Sequence, residues 1–235
     1  MKRRITLLFM CFFLFVGTQV NAQVTNMSID SALRNQFYIS AHAGTQGLGL
    51  ELKFAPVATF KIRAGASILP VELSTVYTVR QQPTNLNLDA AFSNAHLMFD
   101  YHPFINEKSL SRKVIVTAGA GYFWEAKGDA VVTYNGVYNY GEIQIPSEDL
   151  GQLIGNVNWN KVAPYLGIGF ENPFPANRFN VGFAVGAYYM GKPDVSLTGT
   201  KFLSANQSNE EQFRKNMSGY QLLPVVQINL NFRLN

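Results

Sequence analysis

The clearest pattern in the sequence is an alternation of apolar and polar residues at the end of the chain. Eight apolar residues share one parity: Tyr220, Leu222, Pro224, Val226, Ile228, Leu230, Phe232 and Leu234. Successive side chains of a strand point to opposite faces, so this segment predicts a strand with one apolar and one mostly polar face. It is longer than the roughly 5 to 6 residues of an ordinary strand, and its length suits an oblique crossing of an outer membrane.

Seven further segments alternate in the same way, and together they predict an all-β protein with eight antiparallel strands. The predicted strands are 37–43, 48–54, 60–68, 89–101, 114–125, 162–171, 179–189 and 220–235. Residues 37–54 could instead form one bent strand, which would leave seven. Short, mostly proline-bearing connections alternate with long polar stretches near 75–88, 126–160 and 192–218. This arrangement is typical of a transmembrane β-barrel with short periplasmic turns, long external loops and both termini in the periplasm.

The start of the chain has the pattern of an export signal. Three basic residues at 2–4 precede an uncharged apolar run at 5–17, and Val20-Asn21-Ala22 is suited to signal peptidase. The apolar run is shorter than the roughly 20 residues of a spanning helix, which favours cleavage over anchoring. We therefore expect a cleaved signal peptide at 1–22, a periplasmic segment at 23–36 and an outer-membrane barrel at 37–235.

Removal of the signal changes the charge and the thiol chemistry of the protein. The signal holds three of the 19 basic residues and none of the 15 acidic ones, which leaves the mature chain at +1. No basic patch remains for nucleic acid, and the single cysteine, Cys11, leaves with the signal. The three histidines, His42, His96 and His102, are scattered along the chain. The sequence thus predicts no metal site and no cofactor.

Aromatic residues on the predicted outward face fall into two groups, one at each end of the strands. The periplasmic group is Phe54, Phe60, Tyr101, Phe170, Phe179 and Phe232, and the outer group is Tyr122, Trp124, Tyr189 and Tyr220. Aromatic girdles at both interfaces are typical of outer-membrane barrels. A soluble barrel has no reason to sort its aromatic residues in this way.

The predicted inward face combines glycines with charges. The charged residues are Glu51, Lys53, Lys61, Arg63, Asp100, Glu125 and Glu171. An eight-stranded barrel has an interior just wide enough for side chains to fill, and buried charges must be paired. We therefore expect a closed plug of ion pairs, and a structural or surface-interaction role. The alternative is a narrow channel for small polar solutes, in which the glycine faces provide the room.

An enzyme is a distant third interpretation. A lipid-modifying hydrolase of the outer membrane needs a serine, a histidine and an orienting group together at one interface. His42 lies near the outer end of the first strand, with Ser40 on the same face. Such spacing is common by chance, and the sequence predicts no catalytic residue.

The long loops are the places where an external partner could bind. Tyr134-Asn135-Gly136-Val137 predicts a hairpin with a tyrosine-rich tip, and 208–217 predicts a short helix. We expect contact with outer-membrane lipid and lipopolysaccharide, and an extracellular partner through 126–160 and 192–218 remains an alternative to loops that cover the barrel mouth.

Four stretches resemble a family of small Gram-negative outer-membrane β-barrels. They are "GTQGLGLELKFAP" at 44–56, "MFDYHPF" at 98–104, "NKVAPYLGIGFENPF" at 160–174 and "VGAYYMGKPDVSLTG" at 185–199. The family is grouped with OmpW-like or ornithine-uptake CarO-like porins. This resemblance implies an eight-stranded barrel and brings no catalytic residues. Such barrels usually end on phenylalanine for recognition by the outer-membrane assembly machinery, whereas this chain ends on Asn235 and has Phe232 three residues before it.

Overall fold

A computed structural model of the protein describes residues 33–79, 82–140, 142–173 and 178–234. The predicted signal peptide and most of the predicted periplasmic segment lie outside these residues. Within them the protein is all-β, and every strand pairing is antiparallel.

The described residues contain thirteen strands and two α-helices. The strands are β1 Gln36–Gly44, β2 Gly47–Val57, β3 Phe60–Ile68, β4 Pro70–Val79, β5 Gln82–Tyr101, β6 Val114–Tyr134, β7 Val137–Tyr140, β8 Ile143–Pro146, β9 Gln152–Asn158, β10 Val162–Glu171, β11 Phe179–Tyr189, β12 Asp194–Gly199 and β13 Leu222–Arg233. The helices are α1 Ser147–Leu150 and α2 Glu210–Met217, with 3-10 turns at Leu110–Lys113 and Lys201–Asn209. Among these residues, none of the helices has both the length and the apolar character needed to cross a bilayer.

All eight predicted strands are present, and they pair in a succession that returns to its start. The order is β6, β10, β11, β13, β1, β2, β3 and β5, and β5 pairs in turn with β6. We call this closed ring of eight strands the circuit. A two-residue turn between Gly44 and Gly47 separates β1 from β2, so 37–54 forms two strands rather than one bent strand. Gly47 has a φ of 92°, a conformation that glycine adopts without strain. We call the end of this circuit that carries the turn at 58–59 the turn end, and the opposite end the loop end.

The alternation predicted for the last strand is confirmed. In β13, Gln227, Asn229 and Asn231 face the interior and are at most 3% exposed, whereas Leu230 and Phe232 face outward at 43%. This strand is therefore apolar on its outer face and polar over the inner half that ends at Asn231.

The prediction of only eight strands was wrong, because the polar stretches taken as loops contain further strands. Residues 75–79 and 82–88 belong to β4 and β5, the chain at 126–160 includes the end of β6 with β7, β8 and β9, and β12 lies within 192–218. Beyond the circuit, two of its eight strands, β5 and β6, continue into a five-stranded sheet in the order β4, β5, β6, β9, β12. We call this sheet the wall. Its strands carry polar residues on the outward face, so a search for outward apolar residues did not detect them.

The predicted hairpin at 134–137 was also wrong in its pairing. β7 pairs with β8 and not with β6, since β6 already pairs with β5 at Tyr134 and with β9 at Thr133. Both edges of β6 are thus occupied. The predicted helix at 208–217 is confirmed as α2.

Candidate functional site

Six of the seven predicted interior charges are buried together inside the circuit, near its turn end. Glu51, Lys53, Lys61, Arg63, Asp100 and Glu171 are each between 2 and 5% exposed. Three are acidic and three are basic, so the group is electrically balanced. We call these six residues the charged layer.

Glu171 lies at the centre of one half of the charged layer. Its carboxylate accepts hydrogen bonds from Lys61 Nζ at 2.7 Å and from Lys53 Nζ at 3.2 Å. Asn231 Nδ2 donates a third hydrogen bond at 3.1 Å. Two buried ammonium groups, from β2 and β3 on the far side of the circuit, therefore share this carboxylate, and Asn231 of β13, two strands from β10, helps to hold it in place.

Arg63 joins the two carboxylates of the other half. Its Nη1 lies 3.2 Å from both oxygens of Glu51, and its Nε lies 2.9 Å from Asp100 Oδ2. Thr117 donates a hydrogen bond of 2.6 Å to the second oxygen of Asp100. Charges that are removed from water remain tolerable only when paired and hydrogen-bonded in this way.

Glu125 is the predicted interior charge that the structure does not bring into the charged layer. Its side chain is exposed and accepts a hydrogen bond of 2.9 Å from Ser93. The register of β6 against β5 skips Trp124, which creates a bulge and shifts the parity of the residues that follow. Counting alternate positions through this bulge assigned Glu125 to the interior.

A histidine pair lies beside Glu51. His96 Nε2 lies 3.2 Å and His42 Nδ1 lies 3.4 Å from the same Glu51 oxygen. His42 Nε2 contacts Ser67 Oγ at 2.8 Å, so the structure pairs His42 with Ser67 and not with Ser40. Across the described residues, no group of three or more His, Cys, Asp and Glu side chains is placed to hold a metal ion.

Serine, histidine and glutamate are thus arranged in the order of a hydrolase triad, and all three side chains are buried. Ser67, His42 and Glu51 are at most 3% exposed. The adjoining cavity has a volume of about 10 Å³, about what a single water molecule needs. The contacts orient side chains inside a packed interior.

An apolar layer fills the interior on the loop side of the charges. Its buried members are Met98, Phe123, Ala126, Ala163, Tyr165, Tyr188, Met190 and Val225. The Tyr188 ring packs against Tyr165 and Phe123, with ring centroids 4.9 and 5.1 Å away. Phe92, Trp159 and Leu223 pack against this group.

Glycines on the inner face make room for these large side chains and not for a solute. A Cβ built on Gly186 would lie 2.6 Å from Tyr165 Cζ, and one built on Gly119 would lie 2.6 Å from Met98 Sδ. Sequence reasoning recognised the glycines but not their partners. Tyr165 and Gly167 are two residues apart and therefore share one face of β10. A large ring next to a glycine on the same face is the sequence signal that could have identified these partners.

The turn end of the interior is closed by a small apolar cluster. Leu33, Ala58 and Ile105 are each at most 6% exposed and contact one another. His102 is buried nearby, and burial together with the charge of Lys61 lowers its pKa to about 4.

This lowered pKa predicts a loss of stability in acid. Between about pH 4 and pH 6.5, the unfolded chain binds a proton at His102 that the folded protein does not, so the free energy of unfolding falls as pH falls. We expect a loss of up to about 3 kcal/mol across this window. Urea unfolding of wild type and His102→Gln should show a stability difference that changes between neutral pH and about pH 4; a constant difference would contradict the expectation.

The predicted aromatic residues lie at the two ends of the circuit. Tyr101, Phe170, Phe179 and Phe232 are 41 to 52% exposed at the turn end, where Phe54 and Phe60 are partly buried. Tyr122, Trp124, Tyr189 and Tyr220 are 43 to 63% exposed toward the loop end.

Two solved structures of Acinetobacter baumannii proteins have a similar fold. CarO2 is 23% identical with a TM-score of 0.60, and the match covers 85% of this chain and 98% of that one. CarO is 24% identical with a TM-score of 0.57, and the match covers 83% and 96%. No protein-family model and no curated protein matches the sequence. The resemblance to CarO-like proteins is therefore confirmed in the fold.

Proposed function

We propose that the protein is an outer-membrane β-barrel with a closed interior, and that it has a structural or surface-interaction role. The circuit of eight strands is the membrane-spanning part. Its filled interior is the observation that carries the proposal.

The outer surface of the circuit supports the membrane location. Large apolar side chains cover it, including Leu50, Leu166, Ile168, Val181 and Leu230, which are 43 to 67% exposed. A continuous apolar surface of this kind is unfavourable in water. Near the bulge at Trp124 the pattern reverses, and the outward face of the wall carries Asp89 and Asp129 instead. This reversal is expected where strands leave the bilayer.

The proposed orientation places the turn end in the periplasm and the wall outside the cell. β1 starts and β13 ends at the turn end, so a chain exported through a cleaved signal at 1–22 enters and leaves the barrel there. Phe232 is exposed at this end, where the assembly machinery would recognise the last strand. Lipid and lipopolysaccharide would surround the apolar band.

The contacts inside the circuit favour a closed barrel over a narrow channel. A conducting path must cross both the charged layer and the apolar layer, and the cavity that borders Arg63 and Tyr165 between these layers has a volume of about 10 Å³. Ion pairing also removes the free charges that would attract a solute. The serine–histidine–glutamate contacts belong to this packing, so we propose no enzymatic activity for them.

Conductance of the refolded protein in planar bilayers tests the proposal. Wild type should show no stable openings. Removing both barriers in the triple variant Arg63→Ala, Tyr165→Ala, Tyr188→Ala should produce them, because this variant deletes the central guanidinium and two rings of the apolar layer.

Glu125→Ala is the matched control, since it removes a charge of β6 that lies outside the charged layer. It should stay silent. Heat-modified mobility on gels should show that each variant is folded. Stable openings of the wild type would overturn the closed barrel in favour of the channel. A folded triple variant that stays silent would show that Arg63, Tyr165 and Tyr188 are not the barrier.

A further inference from the structure

We propose that the outer edge of β4 is a docking site for an extended, amphipathic segment of a partner polypeptide, which adds to the wall as a further strand. This inference rests on the proposed function, because it requires the wall to lie outside the membrane. It assigns the surface interaction to β4 at one edge of the wall, and not to the segments 126–160 and 192–218 in which the sequence placed a possible partner.

The two edges of the wall are treated differently by the fold. At one edge, α2 covers β12: Arg214 donates to the Val195 carbonyl at 3.1 Å, and the Leu197 amide donates to Glu210 at 3.2 Å. These bonds occupy backbone groups that a further strand would use. At the other edge, no strand within the described residues pairs with the outer side of β4.

β4 also lacks the features that protect a free edge. Proteins block edge strands with lysine, with internal proline or with a covering helix. β4 has its proline at the first position, contains no lysine, and carries Glu72 as its one charge. Residues 71–78 are all exposed, over a strand long enough for specific pairing.

The two faces of β4 define the chemistry of the partner. Val71, Leu73 and Tyr77 lie on the inner face and continue the apolar surface of β5, where their partners include Ala90 and Leu88. They are 37 to 52% exposed. Over β9 and β12 the same face is covered by Phe213 of α2, whose ring packs on Gly155. A partner strand with apolar residues at alternate positions would extend this apolar inner face at β4, where α2 does not cover it.

The outward face adds charge complementarity. Glu72 lies opposite Asp89, and Asp89 lies opposite Asp129, so an acidic row starts at the free edge. Like charges on directly opposed positions are unfavourable, and a basic residue on the next strand would relieve this. The partner segment is therefore apolar on one face and contains lysine or arginine on the other.

A second copy of this chain fits the edge less well. β4 follows β3 and pairs with β5 beyond the circuit, so it points away from the bilayer. Copies in one membrane are related by an axis along the membrane normal, which leaves their β4 strands pointing the same way. Antiparallel pairing, which is slightly more stable per residue, would then require copies in two opposed membranes.

Binding of a fluorescent synthetic peptide to the full chain in nanodiscs tests the inference. The peptide is as long as β4, and valine alternates with lysine or threonine along it. Empty nanodiscs correct for binding to lipid. Two further peptides carry N-methyl groups on alternate residues, of opposite parity. Edge addition uses the amides of one parity only, so one methylated peptide should bind like the parent and the other should not bind.

Two substitutions on neighbouring residues separate the faces of β4. Leu73→Asn should weaken binding about tenfold, because it removes apolar surface that the peptide buries. Ser74→Asn lies on the polar face and should change binding by less than about twofold. Equal binding of both methylated peptides, or equal effects of both substitutions, would overturn edge addition.

The failure of this inference can be distinguished from failure of the closed barrel. If no peptide binds while wild type remains silent in bilayers, the docking site is wrong and the closed barrel stands. If protein-bearing vesicles aggregate and Leu73→Asn abolishes the aggregation, the occupant is a second copy in an opposed membrane, which overturns the choice of a partner polypeptide.

Discussion

Replacing Glu171 with alanine should destabilise the protein by about 3 to 5 kcal/mol, the cost of breaking a buried ion pair. Glu171 is 3% exposed and holds Lys61 at 2.7 Å and Lys53 at 3.2 Å. Without it, the Lys61 ammonium loses its partner in the charged layer, and Lys53 keeps only Glu51, at 3.9 Å. Urea unfolding followed by tryptophan fluorescence should show a lower midpoint.

Two comparisons make the Glu171 prediction specific. Glu125→Ala removes an exposed carboxylate bonded to Ser93 and should change stability by less than about 0.5 kcal/mol. The double variant Glu171→Ala, Lys61→Met should recover part of the loss, because it also removes an unpaired charge. Equal midpoints for Glu171→Ala and Glu125→Ala would mean that the charged layer contributes nothing to stability.

Replacing Gly186 with alanine should destabilise the protein by about 1 to 3 kcal/mol through overpacking of the apolar layer. The added Cβ would lie 2.6 Å from both the Leu166 carbonyl oxygen and Tyr165 Cζ. The carbonyl belongs to the neighbouring strand and cannot move freely, so Tyr165 and the pairing of β10 with β11 must adjust. The same urea titration measures the loss.

Gly128→Ala is the matched control for Gly186→Ala. Gly128 also lies within a strand, but a Cβ there would meet only Trp159, at 3.8 Å, an ordinary contact distance. It should be neutral or should stabilise by up to about 1 kcal/mol, since alanine lowers the entropy of the unfolded chain. If the two substitutions cost the same, the effect belongs to strand glycines in general and the tight packing around Tyr165 is not its cause.

The strands of the circuit could be predicted because alternation is local. In β13 and β11 successive side chains face the bilayer and the interior in turn. Apolar residues are favoured on the bilayer side and small or polar residues on the interior side, so each residue type indicates its own environment. The charged layer followed from the same pattern in β2, β3, β5 and β10. Glu125 was misassigned because a bulge changes parity without leaving a clear mark in the sequence.

The wall could not be predicted in the same way, because the environments of its two faces are exchanged. In β5, Leu88 and Ala90 face inward, whereas Leu97 and Phe99 face outward. A search for outward apolar residues therefore finds the part of β5 near the turn end and takes the part beyond the circuit as a loop. Pairing of β9 with β6 also joins Gln152 to Thr133 past β7, β8 and α1, so its register does not follow from local alternation.

The sequence by itself determined that this chain forms long amphipathic strands with apolar outer faces and charges within, because side-chain direction in a strand depends only on position along the chain. Only the tertiary structure decided which charges form ion pairs, which glycines pack against a tyrosine ring and which edge of the wall stays unpaired. Those contacts follow from the pairing of β1 with β13 and of β5 with β6, which closes the circuit, and from the contact of β2 with β10 across its interior. They depend on register, closure and one bulge, and these arise when all strands pair together.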